Sequence, residues 1–200
     1  GYADYKDMWT VDVFDIFNDS YGVEKNNISK EYIESSEKLN PSNRDNIIGI
    51  QSQIWSETIR NEDILDYMFM PNIIVFSQKA WSQDHDWMKI SDKTKREFTL
   101  EYEWNKFTNT IGQRVLPIID NIYGGLSYDL PKPGGIIKND SLYANSVFPG
   151  LNIKYTLDGS LPDIESMNYN NPVKLNKDDV VNLRLFDDKG RGGYPIQVDK

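Results

Sequence analysis

From residue 151 onward, apolar side chains fall at every second position. Leu151, Ile153, Tyr155 and Leu157 alternate with Asn152, Lys154 and Thr156 before the turn Asp158-Gly159. Val181, Leu183 and Leu185 alternate with Asn182 and Arg184 before Asp187-Asp188-Lys189-Gly190. A period of two sends successive side chains to opposite faces, so these runs read as half-buried antiparallel strands closed by tight turns. The same pattern predicts strands near 136–138, 141–147, 151–157, 172–175, 180–186 and 194–198. For a β domain of about 70 residues, an immunoglobulin-like sandwich is the most economical arrangement.

Upstream the period changes. Leu100, Trp104, Phe107, Ile111 and Val115 recur at spacings of four, three, four and four, which places them on one helical stripe, and Gly124-Gly125 stops that helix. An earlier helix begins after Asn61, whose side chain can cap it, with Glu62 and Asp63 favourably placed at the positive end of its dipole. Ile64, Leu65, Met68 and Phe69 supply its apolar face, and Pro71 must kink it or begin a second helix through Ile73, Ile74, Phe76 and Ala80. Just before them, Asn46–Ile54 is a short run of β-branched residues that fits a buried strand of the parallel type, with Trp55-Ser56-Glu57 at its C-terminal end. Strand, polar turn and helix make half of a β/α unit.

Residues 1–46 are polar and aromatic with little periodicity, a long loop with a helical piece near 29–39. Loops of that length are usually functional, so this one is a candidate lid or subsite wall, or else a solvated insertion. The segment Leu130-Pro131-Lys132-Pro133-Gly134-Gly135 forbids a continuing helix or a central strand and marks a domain boundary near 131. The domains expected are 1–130, α/β, and 131–200, all-β.

Composition narrows the function classes. Lys and Arg number 22 against 31 Asp and Glu, a net charge of −9, which excludes a basic nucleic-acid footprint. The apolar runs are far short of the roughly 20 residues that span a bilayer, so no membrane span is expected. With no Cys and one His, thiolate metal sites, Cys nucleophiles and His clusters drop out; no metal site and no cofactor is read. Asp84-His85-Asp86 reads first as a solvated loop and only second as a ligand pair. No nucleophile elbow and no phosphate-cradling glycine loop is present. The first residues, Gly1-Tyr2-Ala3-Asp4-Tyr5, show neither a basic n-region nor an apolar h-region, so no signal peptide is read within them, and the chain is expected to be a fragment or a mature form.

What remains is an aromatic and a carboxylate two residues apart, twice: Trp55 with Glu57, and Tyr2 with Asp4. In extended chain each pair faces one side. An indole offers apolar area to the C–H face of a pyranose, and a carboxylate accepts charge-assisted hydrogen bonds from hydroxyls, which is the chemistry of a sugar site. The bland alternative makes Trp55 part of the core and Glu57 a cap on the next helix.

The segment Ile48-Gly49-Ile50-Gln51-Ser52-Gln53-Ile54-Trp55-Ser56-Glu57-Thr58 resembles the last barrel strand of glycoside hydrolase family 20, the β-N-acetylhexosaminidases and chitobiases: an apolar strand, Gly-x-Gln, then Trp-x-Glu. Tyr67–Pro71, Ala80-Trp81, Trp104–Phe107 and Ile111–Pro117 resemble the helices that follow. Tyr128–Gly134 and Pro149–Ser160 resemble the C-terminal domain of bacterial chitobiases. The likeness covers about 47–160 well and the rest loosely; its specificity lies in the ordered series.

The resemblance implies the C-terminal end of a (β/α)8 barrel, with its site at the C-terminal ends of the strands, followed by the β domain. It makes Trp55 the floor under a terminal N-acetylglucosamine and places Glu57 at the 4- and 6-hydroxyl region. Tyr2 would steady the acetamido group and Asp4 would bind a hydroxyl, as the family's Tyr-x-Asp does, and Trp9 would be the Trp of the loop after it. The implied reaction is retaining hydrolysis in which the substrate's acetamido oxygen attacks the anomeric carbon, with a Glu as general acid beside an orienting Asp. No credible copy of that Asp-Glu pair is found here, so the chain is expected to be the C-terminal part of a larger enzyme and inactive alone. Its expected partners are an N-acetylglucosamine-containing oligosaccharide and the N-terminal remainder of the same enzyme; by analogy the location is secreted or envelope-associated. A non-catalytic carbohydrate-binding or structural module is the alternative.

Overall fold

The computed structural model describes residues 4–15, 27–82 and 84–199, which fall into two compact units, Gly1–Tyr102 and Glu103–Lys200. In the first unit the described residues form short helices. Helix α1 (Tyr5–Thr10) starts at Asp4, and α2 (Lys30–Ser35) is capped by Ser29, whose hydroxyl accepts the Tyr32 N–H. Asn61 caps α3 (Glu62–Phe69): its Oδ1 accepts the Ile64 N–H at 2.9 Å. Pro71 separates α3 from α4 (Asn72–Trp81), because it can start a helix but cannot sit inside one. Trp9, Val75 and Trp87 are fully buried.

The expected strand over Asn46–Ile54 is not formed. The run is extended at Ile47 and Trp55 but pairs with nothing, and Ile48 stands 98% exposed. A parallel strand buried on both faces requires hydrogen-bonding neighbours and covering helices, and no strand lies in the first unit among the described residues.

The division between units falls within α5 (Lys93–Thr110). After it come one π-helical turn (Ile111–Val115) and α6 (Leu116–Ile119), and Gly124 and Gly125, both at positive φ, end the helical run. Leu100, Trp104 and Ile111 of the expected stripe are buried. The π turn adds a residue to the helical repeat, so that Leu116 and Ile119 are buried as well.

Seven strands follow: β1 (Gly134–Lys138), β2 (Ser141–Asn145), β3 (Asn152–Thr156), β4 (Met167–Asn168), β5 (Val173–Lys174), β6 (Val181–Phe186) and β7 (Ile196–Val198). They make two antiparallel sheets, ordered β1-β2-β5 and β4-β3-β6-β7. Asn139 and Asp140, both at φ 52°, form the two-residue turn between β1 and β2; left-handed backbone at both positions matches the strand twist there. The sheets share one core of Leu142, Tyr155, Leu175, Val181, Leu183 and Val198. At Gly135 of β1 a Cβ would lie 2.6 Å from Leu183 and 2.8 Å from Val198 of the other sheet, so a side chain there would have to displace both. Six strands were expected from periodicity; β4, two residues long and exposed, was not.

Candidate functional site

The described residues singled out for sugar chemistry lie in the first unit on two pieces of chain, Asp4 and Trp9 on one and Trp55 and Glu57 on the other. Trp55 is extended (φ −84°, ψ 124°) and opens a 3₁₀ turn, Ser56–Thr58, that the Ile59 N–H closes onto the Ser56 carbonyl. Thr58 fixes that turn to α3 by donating its hydroxyl to the Met68 sulfur at 3.9 Å. Trp55 is 71% exposed and Glu57 is exposed. The bland alternative therefore fails on both counts, since Trp55 is not core and the cap of α3 is Asn61. The same-side placement expected from a strand does not apply, because Glu57 lies in the 3₁₀ turn; what the structure leaves is an exposed indole and, in the turn that follows it, an exposed carboxylate, a stacking face and a charged acceptor.

Asp4 is placed at the head of α1. Its Oδ1 accepts the Lys6 N–H at 2.8 Å and the Asp7 N–H at 3.1 Å, so this carboxylate is a helix cap in the structure. Tyr2 lies outside the described residues. Trp9 is one turn of helix further on and only 1% exposed. Its ring centroid lies 4.3 Å from His85 and 6.3 Å from Trp87. Trp9 offers no face to a ligand: an aromatic on a six-residue helix is held there by burial against His85 and Trp87, which the loop reading of residues 1–46 did not anticipate.

His85 belongs to that packing. Burial, followed by the charge of Lys79, lowers its pKa below the ordinary value, and Asp84 and Asp86 oppose the shift. The ligand reading of Asp84-His85-Asp86 gains nothing, as no group of three or more acidic or His residues able to hold a metal occurs among the described residues. Described residues on either side of 16–26, among them Val13, Phe14, Asp15, Tyr32, Lys38, Leu39 and Ile47, line a cavity of about 420 Å³, with the Arg44 guanidinium 4.1 Å from the Phe14 ring centroid. Neither Trp55 nor Glu57 lines it. Periodicity did not reveal this cavity, because its walls come from irregular chain.

Comparison with known proteins bears on both units. Residues 3–84 match the model of the glycosyl hydrolase family 20 catalytic domain, and residues 116–193 that of the chitobiase/beta-hexosaminidase C-terminal domain. The N,N'-diacetylchitobiase of Vibrio harveyi is 33% identical over 120 residues, 56% of this chain and 13% of that protein. The beta-hexosaminidase of Vibrio vulnificus is 26% identical over 170 residues, 76% of this chain and 19% of that protein. The chain thus spans less than a fifth of the length of these curated relatives.

Proposed function

We propose that this chain, the C-terminal portion of a glycoside hydrolase family 20 protein, supplies substrate-holding residues to a β-N-acetylhexosaminidase acting on terminal N-acetyl-hexosamine. The observation that carries the proposal is that Trp55 and Glu57, two residues apart, are both exposed within the segment that matches the family's catalytic domain. In this reading the indole of Trp55 floors the sugar, Glu57 accepts hydroxyl hydrogen bonds, Asp4 adds a hydroxyl contact, and Tyr2 steadies the acetamido group. The carboxyl pair that protonates the leaving group and orients the acetamido oxygen would come from chain outside these residues. The two sheets of the second unit would be an immunoglobulin-like sandwich, beginning near residue 131, and the protein would act outside the cytoplasm.

Tight sugar stacking needs a rigid platform, and in this chain the run that carries Trp55 is held on one side only. Thr58 ties its turn to α3, but Ile48 and Ile54 remain exposed on the other side. Neighbouring strands of a barrel would cover them and convert the extended run into a paired strand, with Trp55 at its C-terminal mouth. The test is hydrolysis of nitrophenyl N-acetyl-β-glucosaminide by the whole protein and by residues 1–200 alone. Turnover by the whole protein and none by the chain is expected; turnover by the repurified chain contradicts the division of labour proposed.

A further inference from the structure

The second unit holds a buried polar cluster that takes no part in the sugar reading. Asp187 follows β6, and its side chain is 1% exposed. Its Oδ1 accepts the backbone N–H groups of Lys189 at 2.9 Å and Arg191 at 2.8 Å, which closes the turn 187–191, and its Oδ2 accepts Nε–H of Arg191 at 2.5 Å. The other guanidinium donors leave that turn. Nη2 donates to Asp120 Oδ1 at 2.5 Å and Nη1 to the Leu126 carbonyl at 2.9 Å. Asp120 Oδ2 in turn accepts the Tyr128 hydroxyl at 3.1 Å, Lys189 Nζ donates to the Asp120 carbonyl, and the guanidinium carbon sits 4.5 Å from the Tyr128 ring centroid. Burial, followed by the charge of Asp120, raises the Tyr128 pKa, so the phenol stays a donor.

Two cations therefore bond a strand-end turn to a segment about 70 residues earlier in the chain, and Arg191 makes the contacts to both the Asp120 carboxylate and the Leu126 carbonyl. Only a planar fork with donors in several directions reaches Asp187, Asp120 and Leu126 at once; a lysine is a point charge on a stem. Without it, two buried carboxylates lose their shared counter-charge. A second contact is made earlier in the chain, in the π turn: a Cβ at Gly112 would fall 2.0 Å from the Pro149 carbonyl oxygen.

We infer that Arg191 is a latch by which the sheets hold residues 120–128, so that the end of the preceding helix is clamped by the β-sheets and is not a free linker. Hydrogen exchange on the whole chain reads this directly. The amides of Asp120, Asn121, Gly125 and Leu126 donate to Leu116, Ile118, Ile122 and Ile119 respectively, within the latched segment. In Arg191→Leu they are expected to exchange at least tenfold faster, while the β3–β6 amides change less than twofold. Arg191→Lys should fall between, and Tyr128→Phe, which removes one hydroxyl and keeps both ion pairs, should accelerate the same amides a few-fold. Unchanged exchange at these four amides overturns the inference, and so does equal acceleration throughout the sheets. If Arg191→Leu does not fold, Arg191→Lys and Tyr128→Phe decide, and wild-type exchange at these amides in both contradicts the latch.

Discussion

Leu183 and Leu185 of β6 are completely covered, whereas Ile48 and Trp55, no less apolar, stand 98% and 71% exposed in the first unit. Both stretches are β-branched or aliphatic runs that demand burial. They differ in what the chain supplies to cover them. β6 lies between β3 and β7, and a second sheet closes over its inner face at Gly135. The run 47–55 has no strand beside it among the described residues. Burial is thus a property of a pattern together with its partners, and the same kind of sequence becomes core in one unit and exposed surface in the other. Under the proposed function, the exposed run is the part of the site that waits for the remaining barrel strands.

The contrast is broken most severely at the core. Leu183→Ala should destabilise the second unit by about 2–5 kcal/mol, the cost of a cavity that neighbours refill only in part, while Ile48→Ser should shift the melting of the isolated chain by less than ~0.5 kcal/mol. Calorimetry of both variants checks the pair; comparable effects would mean that the 47–55 run is covered in solution. Gly112→Ala comes next, at about 1–3 kcal/mol, because the added methyl meets the Pro149 backbone and not a movable side chain. Chemical denaturation of the second unit measures it. Asn61→Ala removes the cap of α3 and should cost about 1 kcal/mol, read from the denaturation of the first unit.

How far these positions were legible follows from the same contrast. The strands over 152–156 and 181–186 were readable because their partners lie in the same chain and polar and apolar residues alternate over 152–156 and 181–185. The Asn61 cap was readable because capping is local, settled between residues 61 and 64. The strand expected over 46–54 failed because it depends on neighbours that local sequence does not specify. β4 escaped because two exposed residues carry no period, and the π turn at 111–115 escaped because the residue it adds moves burial from Val115 to Leu116 without interrupting the helical run. Trp55 and Glu57 were found by spacing and by family likeness, and the structure adds their exposure. Trp9 was singled out for the same chemistry, but its burial against His85 and Trp87 depends on a contact about 75 residues away that no local pattern announces.

The smallest expected effect separates the units by pH. His85 has a lowered pKa, so the fold prefers its neutral form. Its contribution is complete above the unfolded value of about 6.5 and is lost as the pH falls through the lower folded value. The first unit should therefore melt lower at about pH 5 than at about pH 7.5. In the second unit, Asp158 and Asp163 have pKa values lowered by hydrogen bonds from Ser160 and Ser166, so their contribution persists above the ordinary carboxylate range and fades only in stronger acid. The NMR indole signals of Trp9 and Trp87 follow the first unit and strand amide signals the second. A pH-independent first unit would contradict the packing assigned to His85.

The central claim, that Trp55 holds sugar, is tested most directly by kcat/KM of the whole protein on nitrophenyl N-acetyl-β-glucosaminide with Trp55→Ala and Trp55→Phe. Loss of the stacked ring is worth ~1–3 kcal/mol, so the account predicts a fall of about tenfold or more in Trp55→Ala, partial recovery in Trp55→Phe, and an unchanged melting temperature. Wild-type kcat/KM in Trp55→Ala would contradict it.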